Sequence, residues 1–179
     1  MEFDGNLHEL GAVNSDPLTD AVLAMDEKAW QLQQYRQKAY SVHEHTESLV
    51  LLFCQGWPNI EVTKEPAWDS LHEVAIPLMH DIISKHFTAG GTIIRAMAAR
   101  LKSAGNIAPH RDSHPSFVNS HRIHVPITTN PAVRFMINGR PYRFELGKAY
   151  EINNQLVHSV MNRGKQDRIT FIFDYLPPR

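Results

Sequence analysis

The 179-residue chain has a single cysteine, Cys54, and that scarcity excludes an internal disulfide. A lone thiol in the apolar run Leu49-Val-Leu-Leu-Phe-Cys54 reads as a small core hydrophobe in a reducing compartment, not as a nucleophile. Charge of one sign is scarce as well: 18 lysines and arginines stand against 19 aspartates and glutamates, a net of −1. No global field draws the chain to nucleic acid or to an anionic membrane. No apolar run approaches the ~20 residues that cross a bilayer. The opening Met1-Glu-Phe-Asp-Gly-Asn6 lacks the basic and apolar regions of a secretion signal. The expectation is a cytoplasmic protein without nucleic-acid or membrane partners. Internal repeats, low-complexity stretches and linker composition are missing too, so residues 1–179 read as one domain.

What is present divides into two textures. Residues 17–91 mix helical and strand patterns and are expected to pack on the sheet of a β-rich core spanning 92–176. Asp16-Pro17 suits a helix start. From there Leu18, Val22, Met25, Ala29, Leu32 and Tyr35 recur at helical spacing, which predicts one amphipathic helix. Ser48 to Cys54 predicts a buried strand, ended by Gly56-Trp57-Pro58. A second helix is expected over about 70–87, with Pro77 starting or kinking it and Gly90-Gly91 ending it. His72, His80 and His86 fall there and read as surface or core residues.

From Thr92 the period becomes two. Strands are expected at 92–101, 107–112, 121–128, 133–137, 140–146, 149–152, 157–161 and 168–174, with turns such as Asn138-Gly139 between them. About eight short strands at this spacing predict a mainly β fold with flanking helices, a sandwich or jelly roll.

Inside that pattern stand His110-Arg-Asp112 and, far downstream, His158. Residues i and i+2 of a strand share a face, so His110 and Asp112 point to one ion and His158 closes the set from another strand. Two histidines and one carboxylate leave coordination positions open, the donor set of non-haem Fe(II) oxygenases. The same three also read as inward polar residues of a sandwich, since H-x-D occurs by chance. In Asp167-Arg-Ile-Thr-Phe-Ile-Phe-Asp174, Arg168, Thr170 and Ile172 share a face. A guanidinium there suits the distal carboxylate of a dicarboxylate. The competing reading of Arg168 is a surface ion pair with Asp167 or Glu151.

Five blocks occur in a fixed order over about Arg95 to Asp174: Ile107-Ala-Pro-His-Arg-Asp112, Arg122-Ile-His-Val-Pro-Ile127, Leu146-Gly-Lys-Ala-Tyr-Glu-Ile152, His158 with Asn162, and Arg168-Ile-Thr-Phe-Ile-Phe-Asp174. In these the chain resembles the aspartyl/asparaginyl β-hydroxylase family of Fe(II)- and 2-oxoglutarate-dependent oxygenases. The resemblance implies a double-stranded β-helix, the cupin-like jelly roll, with Fe(II), 2-oxoglutarate and O2 as cofactors. It implies His110, Asp112 and His158 as iron ligands. Arg168 matches the arginine for the 2-oxoglutarate distal carboxylate, and Thr170 shares its face. Arg122 and His124 match a pair lining the site against cosubstrate or the substrate's acid group. His121, Arg134 and His114 are further candidates for the substrate, and Asn162 or Ser159 for orienting the histidines. A small hydroxyl residue of some relatives is replaced here by Ala98 or Ala99. The implied partner is a small-molecule or peptidyl amino acid, chosen by the N-terminal half and the 113–121 loop. The alternatives are a non-redox cupin using Zn or Mn and a metal-free ligand-binding jelly roll. No residue pattern specifies an oligomeric state.

Overall fold

The period-two segments pair into two antiparallel sheets that face each other across an apolar layer. A computed structural model describes residues 3–32 and 45–178. In chain order the elements are β1 (Leu7–Ala12), α1 (Asp16–Leu23), α2 (Glu27–Gln31), β2 (Thr46–Gln55), β3 (Glu61–Lys64), α3 (Trp68–His86), β4 (Thr92–Leu101) and β5 (Asn106–His110). There follow α4 (Pro115–Val118), β6 (His121–Thr128), β7 (Val133–Ile137), β8 (Arg140–Tyr142), β9 (Lys148–Ile152), β10 (His158–Asn162) and β11 (Arg168–Leu176). A seven-stranded sheet runs β1-β9-β6-β11-β4-β2-β3, and a four-stranded sheet runs β5-β10-β7-β8. This is the expected mainly β jelly roll with flanking helices.

Alternation gives the large sheet two working faces. Ile123, Val125, Phe171, Phe173, Leu49 and Leu51 point outward and are covered by Leu18 and Val22 of α1 and by α3. The buried residues of α3, Leu71, Ala75, Leu78, Met79, Ile82 and Ile83, recur on one helical face. Pro77 sits on its exposed side, where water can serve the carbonyl that proline leaves without an N–H. The other face meets the small sheet through Leu101, Phe135, Ile137, Tyr150, Ile152 and Val160. Cys54 is buried, and burial pushes its thiol up from the ordinary range. Among the described residues no helix is long and apolar enough to cross a membrane.

Several elements depart from the expectations. The single N-terminal helix is two, because Asp26 turns extended (φ −74°, ψ 163°) and its Oδ1 accepts from the Ala29 N–H at 2.8 Å. That cap starts α2 afresh; Tyr35 lies outside the described residues. The edge strands β1 and β3 were not expected. With β2 they extend the seven-stranded sheet, so part of 17–91 is strand of that sheet as well as cover for it. The 140–146 segment stops as a strand at Tyr142, and Phe144 turns into the inner core.

The loop after α3 closes against β11. Gly91 N–H donates to Tyr175 Oη at 2.8 Å, and that hydroxyl donates to the Thr88 carbonyl at 2.6 Å. A Cβ on Gly91 would collide with the Leu176 carbonyl and the Tyr175 ring. Gly91→Ala is therefore expected to cost roughly 1–3 kcal/mol, about 2–4 °C of Tm for each kcal/mol at this size. Thermal unfolding checks this, and an unchanged Tm would refute the close approach.

Candidate active site

Strand register makes the histidines meet. β10 runs antiparallel to β5 with His158 opposite His110, and their ring centroids lie 4.3 Å apart. Each ring is turned by a backbone carbonyl two residues upstream: His110 Nδ1 lies 2.8 Å from Ala108 O, and His158 Nδ1 2.9 Å from Leu156 O. A carbonyl only accepts, so Nδ1 holds the proton and Nε2 keeps its lone pair for an ion. Burial also pushes His158 below the usual imidazole range, which favours the neutral, ligating form. Asp112 arrives differently from the strand argument. β5 ends at His110, and Asp112 sits beyond it with its N–H donating to Asn154 O at 3.0 Å. Its Oδ1 is nonetheless 3.8 Å from His110 Nε2. One ligand atom from each of His110, Asp112 and His158 falls within 4.8 Å of the others.

The facing wall is the inner surface of β6 and β11. It presents Arg122 and His124 from β6, and Arg168, Thr170, Ile172 and Asp174 from β11. Arg168 is 5% exposed and, among the described residues, makes no ion pair with an acidic group. Burial lowers its guanidinium to about 10. Asp167 instead accepts from the Ser103 N–H, and Glu151 pairs with His121, so neither competing partner of Arg168 reaches it. Both ring nitrogens of His124 and the Thr170 hydroxyl are buried without a hydrogen-bond partner. Burial, aided by the charge of Arg168, holds His124 well below the usual imidazole range, hence neutral. Buried polar groups are ordinarily paired. A carboxylate would accept from Arg168, from the Thr170 hydroxyl and from the one protonated ring nitrogen of His124, so the residues fit the far end of 2-oxoglutarate as well as an ion at the near end. The hollow between the sheets is lined by His110, Arg122, His124, His158 and Arg168, and by apolar Ile107, Phe135, Val160 and Ile172. A second cavity, about 330 Å³, shares Arg168 and Phe135 but touches none of the candidate ligands.

A family model described as aspartyl/asparaginyl beta-hydroxylase matches residues 14–178. The chain belongs to that family. The hydroxylase is thus a 2-oxoglutarate-dependent enzyme by class, and its donor set agrees with iron and 2-oxoglutarate use in general. No curated protein matches it in sequence. Solved structures similar to it include a 2OG-Fe(II) oxygenase family oxidoreductase from Burkholderia pseudomallei, at 12% identity and TM-score 0.56, over 75% of this chain and 69% of that one. Another is the non-heme monooxygenase ThoJ in a nickel complex, at 14% identity and TM-score 0.58, over 97% of this chain and 74% of that one. A third is the collagen prolyl hydroxylase of Paramecium Bursaria Chlorella virus-1 with 2OG, at 10% identity and TM-score 0.55, over 98% of both chains. At such identities these likenesses establish the fold.

Beside the ligand set the hydroxylase buries a chain of alternating charge. Arg122 donates Nε and Nη2 to the two oxygens of Asp174, each at 2.8 Å, and Nη1 to Asp112 Oδ2 at 2.7 Å. Asp174 also pairs with Arg95 Nη1 at 3.2 Å, and Arg95 Nη2 donates to Ser116 Oγ at 2.7 Å. Burial opposes the charge on Arg122, but Asp112 and Asp174 outweigh it and keep the guanidinium protonated. Asp174 and Arg95 had no assigned role in the sequence reading. The signal was available: Asp174 continues the Arg168, Thr170, Ile172 face.

Other expected site residues lie elsewhere in the hydroxylase. His121 points to the opposite face of β6 from Arg122, where its Nδ1 meets Glu151 Oε1 at 2.6 Å and its ring lies 4.3 Å from Phe87. Arg134 sits between the inward Val133 and Phe135, faces outward, and donates to the Pro131 carbonyl at 2.6 Å. His114 is exposed, with Nδ1 2.8 Å from Ser116 Oγ. Asn162 does not orient a histidine; it donates to the carbonyls of Lys102 and Gln166 and staples two turns. The orienting work falls to Ala108 O and Leu156 O instead of Asn162 or Ser159. Of the two alanines, Ala99 is on the inner face, paired with Thr170, and Ser48 and Thr46 follow on β2. Thr46 lines the hollow, so a hydroxyl is supplied from the neighbouring strand.

Proposed function

We propose that His110, Asp112 and His158 bind Fe(II), and that Arg168, His124 and Thr170 take the distal carboxylate of 2-oxoglutarate. On this reading residues 1–179 act as one domain that hydroxylates an amino acid or amino-acid-like acidic molecule, free, carrier-bound or within a peptide. The observation that carries it is Arg168, a buried cation without an acidic partner among the described residues, beside two unpartnered polar groups and across from the donor set. Bound there, iron would supply the activation of O2 coupled to decarboxylation of 2-oxoglutarate to succinate and carbon dioxide. The residues do the positioning. Carbonyl-held Nδ1 protons fix both histidines as neutral donors, and Asp112 contributes one negative charge. Arg168 anchors the far end of the dicarboxylate, which sets how far its keto-acid end extends toward the ligands. Ile107, Phe135, Val160 and Ile172 give the hollow an apolar lining between these polar groups. Substrate choice is assigned to the N-terminal half and the 113–121 loop. The amino-acid class rests on the family description, because the charge of Arg122 is already met by two carboxylates.

Anaerobic titration tests the reading. Fe(II) and 2-oxoglutarate together are expected to give the weak visible charge-transfer band of their chelate, saturating at one of each per chain. Its absence from the wild-type protein would remove the proposal. Succinate release screened over free amino acids and Asp- or Asn-containing peptides then identifies the substrate.

A further inference from the structure

We propose that the cavity behind Arg168 is a second ligand site, which takes a monocarboxylate with an apolar body and antagonises 2-oxoglutarate through the guanidinium that both would share. The antagonism rests on the proposed role of Arg168; the cavity site does not. The cavity, about 330 Å³, lies between the turn that follows β6 and the segment that follows β8. Pro126, Val133, Phe135, Phe144 and Leu146 give it apolar walls, and Leu146, 56% exposed, marks its rim.

An aromatic partition separates this space from the hollow of the donor set. Phe135 and Phe144 stack with centroids 4.7 Å apart, and His124, which faces the hollow, meets both rings edge-on at 5.6 and 6.0 Å. Phe135 lines both spaces, and Arg168 is the one charged side chain common to them, its guanidinium carbon 5.8 Å from the Phe135 centroid. Of the other charged groups on the cavity, Glu145 is held by Lys148 Nζ at 3.0 Å. Arg143 is exposed and has no acidic partner among the described residues, so the rim favours an approaching anion. A bidentate carboxylate uses two of the five N–H groups of a guanidinium, so Arg168 keeps donors for a second one. An anion in the cavity gains a buried cation without an acidic partner, and its body gains the aromatic walls. Two carboxylates at one sheltered guanidinium repel each other, so each weakens the other, and by the same factor.

Calorimetric titration of the full-length protein with phenylacetate, without metal or 2-oxoglutarate, reads the site directly. One molecule per chain is expected to bind. Acetate lacks the body and 2-phenylethanol the charge, and each should bind at least about tenfold more weakly. Thr129→Trp fills the cavity from a half-buried wall, and Leu146→Asp sets a like charge at the exposed rim. Each should weaken phenylacetate at least about tenfold while 2-oxoglutarate affinity of the Mn(II) form stays within about twofold. In the wild-type protein the apparent Kd of 2-oxoglutarate should climb with phenylacetate and level off at roughly 5- to 150-fold, the range of coupling between two sites. A climb without limit means competition inside the hollow and overturns the second site. So does undiminished phenylacetate binding in either folded variant, or no binding to the wild type. Failure of the wild-type protein to take 2-oxoglutarate overturns the functional reading and the antagonism, while the direct titration still decides the site.

Discussion

Arg168→Met is expected to abolish useful 2-oxoglutarate binding while making the ligand-free protein harder to unfold. The two effects share one cause. Arg168 is a buried cation, and its burial lowers it to about 10. Below that pH the folded state carries the proton in a poor solvent, and the side chain subtracts from stability. As pH rises through about 10 the unfolded chain, whose arginine keeps its higher ordinary value, binds more protons than the folded one, and the penalty shrinks. Methionine fills similar volume without the charge, and such replacements of buried ionic groups stabilise by about 1–4 kcal/mol in favourable cases. Removing one partner of a buried charge pair costs about 2–5 kcal/mol. At 1.4 kcal/mol per decade this is roughly a thirty- to several-thousand-fold loss of cosubstrate affinity. Calorimetric titration with 2-oxoglutarate on the Mn(II)-loaded protein measures the loss, and thermal unfolding without ligand measures the gain. Affinity within threefold of wild type would sink the assignment of Arg168.

How much of this was legible follows from what alternation can and cannot encode. β4, β6 and β7 have the expected ends because their apolar residues face one covered side. The same alternation already separates His121 from Arg122 and Arg134 from Phe135, so both misplaced candidates were readable as outward. β1 was not readable: an edge strand, it buries little and has a glycine at its bulge. The meeting of His110 with His158 depends on the register of strands 48 residues apart, which no local pattern states. Asp112 is in reach because Asn154 and Arg122 hold it, not because it shares a strand face with His110. Arg168 was legible as a cation on the inner face; that it goes unpaired, beside an unpartnered His124, is a fact of packing.

His158→Ala is expected to erase the response to metal altogether. At one hundred times its dissociation constant a single bound ion stabilises the native state by about 2.7 kcal/mol. For a chain of this size that is roughly 5–10 °C of Tm. Mn(II) should raise the wild-type Tm by that amount and leave the variant unmoved, since the two remaining ligands lose the imidazole opposite His110. Fold integrity is the necessary control. His158 contributes one hydrogen bond, to Leu156 O, and its loss leaves an acceptor that water entering the hollow can serve. The metal-free Tm should therefore fall by far less than the metal-dependent shift. Succinate formation should drop by more than the 10–100-fold typical of partners that only orient a ligand. A variant that keeps both the Mn(II) shift and succinate release would mean that the ion sits elsewhere, and would remove His158 from the site.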